Sequence, residues 1–127
     1  PGQIKTGEMA TIIGIFEDLY LKKKPLTVVK PGSQTRRFTH IDDTVNVCYE
    51  AWKRNKCCYY SVTHKKSYSV LNVAKMFKSK IIYLKPRIGE RYASALTRIS
   101  QNNKIIRKYG KINLKDYIRS FIKKSNL

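Results

Sequence analysis

Apolar residues recur at helical spacing from Met9 through Ile12, Ile13, Phe16 and Leu19 to Tyr20, which predicts a first helix with one buried face. Glu8 near its start and Lys22 to Lys24 at its end suit the helix dipole, and Pro25 stops it. Leu26 to Val29 reads as a short strand and Pro31-Gly32-Ser33 as a turn. Arg36 to Ile41 reads as extended chain, with β-favouring Phe38, Thr39 and Ile41. Asp42 then stands where a helix N-cap belongs, with Asp43 in the first turn. Val45, Cys48, Tyr49 and Trp52 form the stripe that this second helix is expected to bury, and Lys53 and Arg54 suit its end.

Cys57 to Val62 is apolar on both faces, the pattern of a strand inside a parallel sheet. Ser69 caps a short helix carrying Val70, Val73, Ala74 and Phe77, and Ile81 to Leu84 is a further strand ended by Pro86. Ser100 is the cap expected for a helix ending at Gly110. Asn113 caps the last helix, whose apolar face is Leu114, Tyr117, Ile118, Phe121 and Ile122. Strands alternate with helices, so the class is α/β. The strand Tyr59 to Val62 asks for neighbours on both sides that this chain does not supply. Part of a parallel sheet is therefore expected to be missing. Pro1-Gly2-Gln3 reads as the tail of a loop, so the chain is read as part of a longer protein.

Charge changes the picture. Among 127 residues, Lys and Arg number 27 against 8 acids, a net charge of +19. Such a field attracts nucleic acid, an anionic membrane face or phosphorylated small molecules. The same composition arises where lysine merely fills solvent positions. The basic residues run from Lys22-Lys23-Lys24 to Lys123-Lys124 with no basic tail or arginine-rich block, so no nucleic-acid motif is recognised. No apolar run approaches the roughly 20 residues that span a bilayer, and no signal-peptide pattern opens the chain. Cys48, Cys57 and Cys58 have no metal-ligand spacing with one another or with His40 and His64. They read as core thiols of a reducing cytoplasm.

Two clusters could carry chemistry. Arg36 and Arg37, at a strand entry, can grip a phosphate through paired guanidinium bonds or can pair with Asp42 or Asp43. Arg87 and Glu90 follow a strand in a Pro86 to Arg91 loop, where ligands of open α/β sheets bind, or form an ion pair on a solvated turn. His40 has no oriented partner and reads as strand structure. The chain has no Gly-rich dinucleotide loop, P-loop, nucleophile elbow, H-E-x-x-H or Tyr-x-x-x-Lys in a plausible catalytic helix, so no unaided catalysis is expected.

Pro1-Gly2-Gln3, the stretch Pro25 to Val29 followed by Gln34-Thr35-Arg36-Arg37-Phe38-Thr39-His40-Ile41-Asp42-Asp43, then Lys66 to Val70 and Arg87-Ile88-Gly89-Glu90 stand in a telling order. Together they resemble the C-terminal part of the extended short-chain dehydrogenase/reductase family, in its NAD-dependent epimerase/dehydratase branch, which includes UDP-glucose 4-epimerases. The resemblance implies that residues 1–127 form the nucleotide-sugar-binding lobe of a Rossmann-type enzyme, with the NAD-binding domain and the catalytic Tyr-x-x-x-Lys upstream. It further implies that Arg36 and Arg87 grip the diphosphate of a nucleotide sugar and that Glu90 orients the sugar or ribose. Met9 to Ile13, with Thr27 to Val29, would wall the nucleoside pocket. Asp42 would cap the helix returning to the Rossmann domain, and Tyr59 to Val62 would be a strand of its sheet. The partners implied are the nucleotide sugar, the chain's own Rossmann domain and a second copy of the full-length enzyme; membrane and nucleic acid are not expected. Arg37 stands where the family has Asp, and Val29 where an aromatic often stacks on the base. The alternatives are a small basic nucleic-acid-binding module, supported by the charge and the tyrosines, and a remnant that binds nothing.

Overall fold

The computed structural model describes residues 2–7, 9–56, 60–86 and 108–127. Helix α1 spans Ile12–Leu21 and is capped by Thr11, whose Oγ1 accepts from the Gly14 amide at 3.4 Å. The helix therefore starts later than its apolar pattern suggests, and Met9 lies before it, 77% exposed. Glu8 lies outside the described residues. The segment before α1 is tied down: the Thr11 hydroxyl donates to Gln3 Oε1 at 2.7 Å, and the Thr11 amide to the Ile4 carbonyl at 3.1 Å. A Cβ at Gly14 would lie 2.5 Å from that carbonyl oxygen, so only glycine lets this segment cross the helix.

Strand β1, Leu26–Val29, follows Pro25 as its sequence indicates. Strand β2 is Thr35–Arg37, and helix α2 runs from Ile41 to Arg54. The extended run ends at His40, which is the cap: its Nδ1 accepts from the Asp42 amide at 3.2 Å. Asp42 thus sits in the first turn rather than at the cap, because the imidazole takes the role expected of its carboxylate. Strand β3 is Ser67–Ser69, helix α3 Val70–Met76, strand β4 Ile81–Leu84 and helix α4 Leu114–Ser125. Ser69 and Asn113 cap α3 and α4 as expected, accepting from Asn72 N at 3.1 Å and Lys115 N at 2.9 Å.

β1 and β4 pair in parallel, with Leu26 beside Ile81 and Val29 beside Leu84. β2 and β3 pair antiparallel, with Arg36 opposite Tyr68. These two short sheets with α1, α3 and α4 make an α/β core. Phe16, Leu26, Val28, Val73, Phe77 and Ile118 are fully buried in it, and Phe16 meets Phe77 edge-on at 5.9 Å. The expected strand at Cys57 to Val62 differs. Cys57, Cys58 and Tyr59 lie outside the described residues, and Tyr60 to Val62 form no ladder. Both observed sheets are two-stranded and neither includes them; Val62 is held instead by the Thr39 hydroxyl, which donates to its carbonyl at 3.2 Å. The expected Ser100 helix lies largely outside them too.

The stripe on α2 is the other departure. Val45 is 57% and Trp52 75% exposed, and Cys48 and Tyr49 are exposed with them. The helix instead buries Asp43 and Val47, on its opposite side at about 100° per residue. Asp43 Oδ2 accepts from the Ile112 amide at 3.2 Å, which ties α2 to the approach to α4. One helix therefore carries two faces that ask to be covered, and the described residues cover only the smaller.

A buried polar link joins the first and last helices. Glu17, 4% exposed, accepts a hydrogen bond from the Tyr117 hydroxyl at 2.5 Å. Burial, then the hydrogen bond and the charge of Glu17, raise the Tyr117 phenol above the tyrosine value of 10.0. The unfolded chain releases this proton near pH 10 while the folded chain keeps it, so the contribution is whole below that pH and lost as pH rises above it. Tyr117→Phe is expected to lower stability by about 1.5–3 kcal/mol at pH 7 by stranding the Glu17 carboxylate. It is also expected to flatten the alkaline fall in stability, read by urea unfolding between pH 7 and 11. Equal alkaline slopes in both proteins would contradict the assignment.

Candidate functional site

The parallel pair β1–β4, helix α1 and the chain between β1 and β2 enclose a cavity of about 240 Å³. Its walls are apolar, from Ile12, Ile15, Val29 and Leu84, and its polar groups are the hydroxyl of Thr27 and the amide of Gln34. Strand geometry sends successive side chains to opposite faces, so Thr27 and Val29 reach the cavity while Leu26 and Val28 fill the core. Gly32 makes the return possible. It holds φ +69, its carbonyl accepts from Leu71 N at 3.0 Å, and a Cβ there would lie 2.7 Å from Val28.

Gln34 joins this cavity to a cation. Its Oε1 accepts from Arg36 Nη2 at 3.2 Å, and Arg36 Nη1 donates to the Thr35 carbonyl at 2.9 Å. The half-buried guanidinium is thereby held by a residue of the cavity wall without lining the cavity itself. Among the described residues, none that lines the cavity is titratable. The arrangement can bind a neutral, mostly apolar group beside an anion, but it supplies no general base or nucleophile. Among the described residues no cluster of His, Cys, Asp and Glu could hold a metal ion.

The structure thus brings Thr27, Val29 and Arg36 to one neighbourhood through Gln34, a residue that sequence reasoning did not select as a site. Of the expected Met9 to Ile13 wall, Ala10 and Ile12 line the cavity. Met9 does not: the helix starts after it, and its side chain is in solvent. Arg87 and Glu90 lie outside the described residues. Leu84, three residues before Arg87, lines the cavity.

A second cavity, about 170 Å³, lies beside His40, Asn113 and Tyr117. Several of its polar atoms are already engaged. His40 Nδ1 caps α2, Tyr117 donates to Glu17, and Asn113 Oδ1 accepts from Lys115 N and from the Tyr68 hydroxyl at 2.8 Å. Groups so committed help to hold the fold together.

No family model matches the chain, and no curated protein matches it. Solved structures do. The chain superposes on UDP-glucose 4-epimerase from Thermotoga maritima, solved with UDP-glucose, with a TM-score of 0.80 at 18% identity, over 100% of this chain and 43% of that enzyme. It superposes on UDP-N-acetylglucosamine 4-epimerase from Methanobrevibacter ruminantium, in complex with UDP-N-acetylmuramic acid, at 0.79 and 20%, over 97% and 41%. A third match is UDP-glucuronic acid 4-epimerase from Bacillus cereus, in complex with UDP-glucuronic acid and NAD, at 0.71 and 24%, over 90% and 40%. The chain shares the fold of a part of these Rossmann-type enzymes and spans about two fifths of their length. The described residues do not fit NAD. β1 leads through Lys30-Pro31 to β2, and β4 into Lys85-Pro86, so neither parallel strand opens through a glycine-rich turn onto a described helix.

Proposed function

We propose that this chain is the C-terminal, nucleotide-sugar-binding portion of an NAD-dependent epimerase/dehydratase of the extended short-chain dehydrogenase/reductase type. The observation that carries the proposal is the apolar cavity at Thr27 and Val29 with Gln34 in its wall and Arg36 held by Gln34. A nucleoside suits the walls and its diphosphate suits the guanidinium, which can make two parallel bonds to phosphate oxygens. Arg87 and Glu90 join this site in the proposal, at the diphosphate and at the sugar or ribose. Binding energy gathered at the nucleotide then holds the sugar for chemistry elsewhere.

NAD and the general base come from the Rossmann part, outside this chain, and the chain alone is expected to be inactive. The exposed stripe of Val45, Cys48, Tyr49 and Trp52 supports such a partner, since an apolar helix face of this size is ordinarily covered. No helix among the described residues is long and apolar enough to cross a membrane. Calorimetric titration of the full-length protein with a UDP-sugar, UDP and the free sugar tests the reading. UDP is expected to retain most of the affinity of the UDP-sugar, and the free sugar to show none. Equal affinity for the free sugar, or no binding of any nucleotide, would overturn it.

A further inference from the structure

Lysines scattered along the sequence converge on a trough that shares no residue with the cavity beside Arg36. Its first half, about 510 Å³, lies where the ends of α1, α3 and α4 meet and is lined by Lys23, Lys24, Lys78 and Lys80. Its second half, about 480 Å³, follows the seam between α3 and α4 and adds Lys75 and Lys115 above Met76 and Ile122. Lys78 borders both. All six lysines are exposed.

None of the described acids lines either half. Arg119, on the rim, is engaged by Asp116 at 3.5 Å, and the nearby Asp18 by Lys22 at 2.7 Å. Lys23 and Lys78 hold φ +53 and +55, a conformation usually left to glycine, so long cations stand at both helix ends despite steric cost. Six like charges along one trough repel one another, and a polyanion relieves that repulsion.

The helix ends decide what kind of anion fits. Three helix C-termini bring partial negative charge to the first half, which disfavours a compact anion pressed against the backbone. Lysine stems that stand away from the backbone suit an extended chain of phosphates. The concave shape suits a strand better than a flat lipid surface. We propose that this lysine-lined trough binds single-stranded nucleic acid through its phosphates, without reading its sequence.

The test is fluorescence anisotropy of the full-length protein with a labelled 20-nucleotide single strand between 50 and 300 mM salt. With six phosphates neutralised, log affinity is expected to fall with log salt at a slope of about −4. A Lys75→Glu, Lys78→Glu, Lys80→Glu variant is expected to bind at least about tenfold more weakly, with a slope near −2. A Lys5→Glu, Lys65→Glu, Lys111→Glu variant carries the same charge change on exposed lysines outside the trough and is expected to stay within about threefold of the parent. Both should keep the parent's melting temperature and nucleotide-sugar affinity. Equal loss in the two variants would reduce the effect to net charge and overturn the site. Absence of strand binding, or trough-dependent binding of phosphatidylserine vesicles in its place, would overturn it too.

Discussion

Arg36→Ala is expected to weaken the binding of a nucleotide sugar to the full-length protein by about 10- to 100-fold, the equivalent of about 1.5–3 kcal/mol for charge-assisted bonds to phosphate. The guanidinium is already oriented by Gln34 and the Thr35 carbonyl, so its ordering cost is met before the ligand arrives. Arg36→Lys keeps the charge but not the planar fork and is expected to recover only part of the loss. Gln34→Ala leaves the cation in place and frees its rotamer, so a smaller loss is expected, with UDP and UDP-sugar affected alike. Titration calorimetry reads all three variants. An Arg36→Ala protein that binds as tightly as its parent removes the guanidinium from the site.

Trp52→Glu is expected to cost the full-length protein about 2–4 kcal/mol of stability, although the side chain is 75% exposed in this chain. The expectation rests on the α2 stripe being covered by the Rossmann part. Trp52 and Tyr49 stand 5.9 Å apart and present one broad aromatic surface for that contact. Val45→Asp, two turns before Trp52 on the same face, should act in the same direction. Lys53→Glu, next to Trp52 in sequence and exposed, is the control and should lie within about 0.5 kcal/mol of the parent. Denaturant unfolding distinguishes these outcomes. If Trp52→Glu behaves like Lys53→Glu, the stripe faces solvent in the whole protein as well.

The sequence resolved those features whose causes are local. Leu26 to Val29 and Ile81 to Leu84 are strands with the expected bounds, and Ser69 and Asn113 are caps, because propensity, proline stops and side-chain oxygens act within a few residues. The α2 stripe shows where such reasoning stops. Periodicity identifies Val45, Tyr49 and Trp52 as one face, but not whether this chain supplies what covers it. The cap of α2 was misplaced by two residues because His40 Nδ1 did the work expected of Asp42. Met9 matched the helical repeat by spacing alone, while the Thr11 cap excluded it from the helix.

The site was legible in part for a related reason. Thr27, Val29 and Arg36 could be picked out by the resemblance, yet the residue that links them, Gln34, could not. Its role depends on the turn through Gly32 that brings the start of β2 beside β1. The lysine trough gave no linear signal at all. Its six cations come from α1's end, α3, the approach to β4 and α4, and only the packing of those elements makes them neighbours.

The central claim, that the cavity at Thr27 and Val29 takes the nucleoside and Arg36 the diphosphate, is tested most directly by a crystal structure of the full-length protein with a UDP-sugar. The account expects the base between α1 and β1, and phosphate oxygens within hydrogen-bond distance of the Arg36 guanidinium. A nucleotide bound at the His40–Tyr117 cavity or in the lysine trough, with the cavity at Thr27 empty, would contradict it.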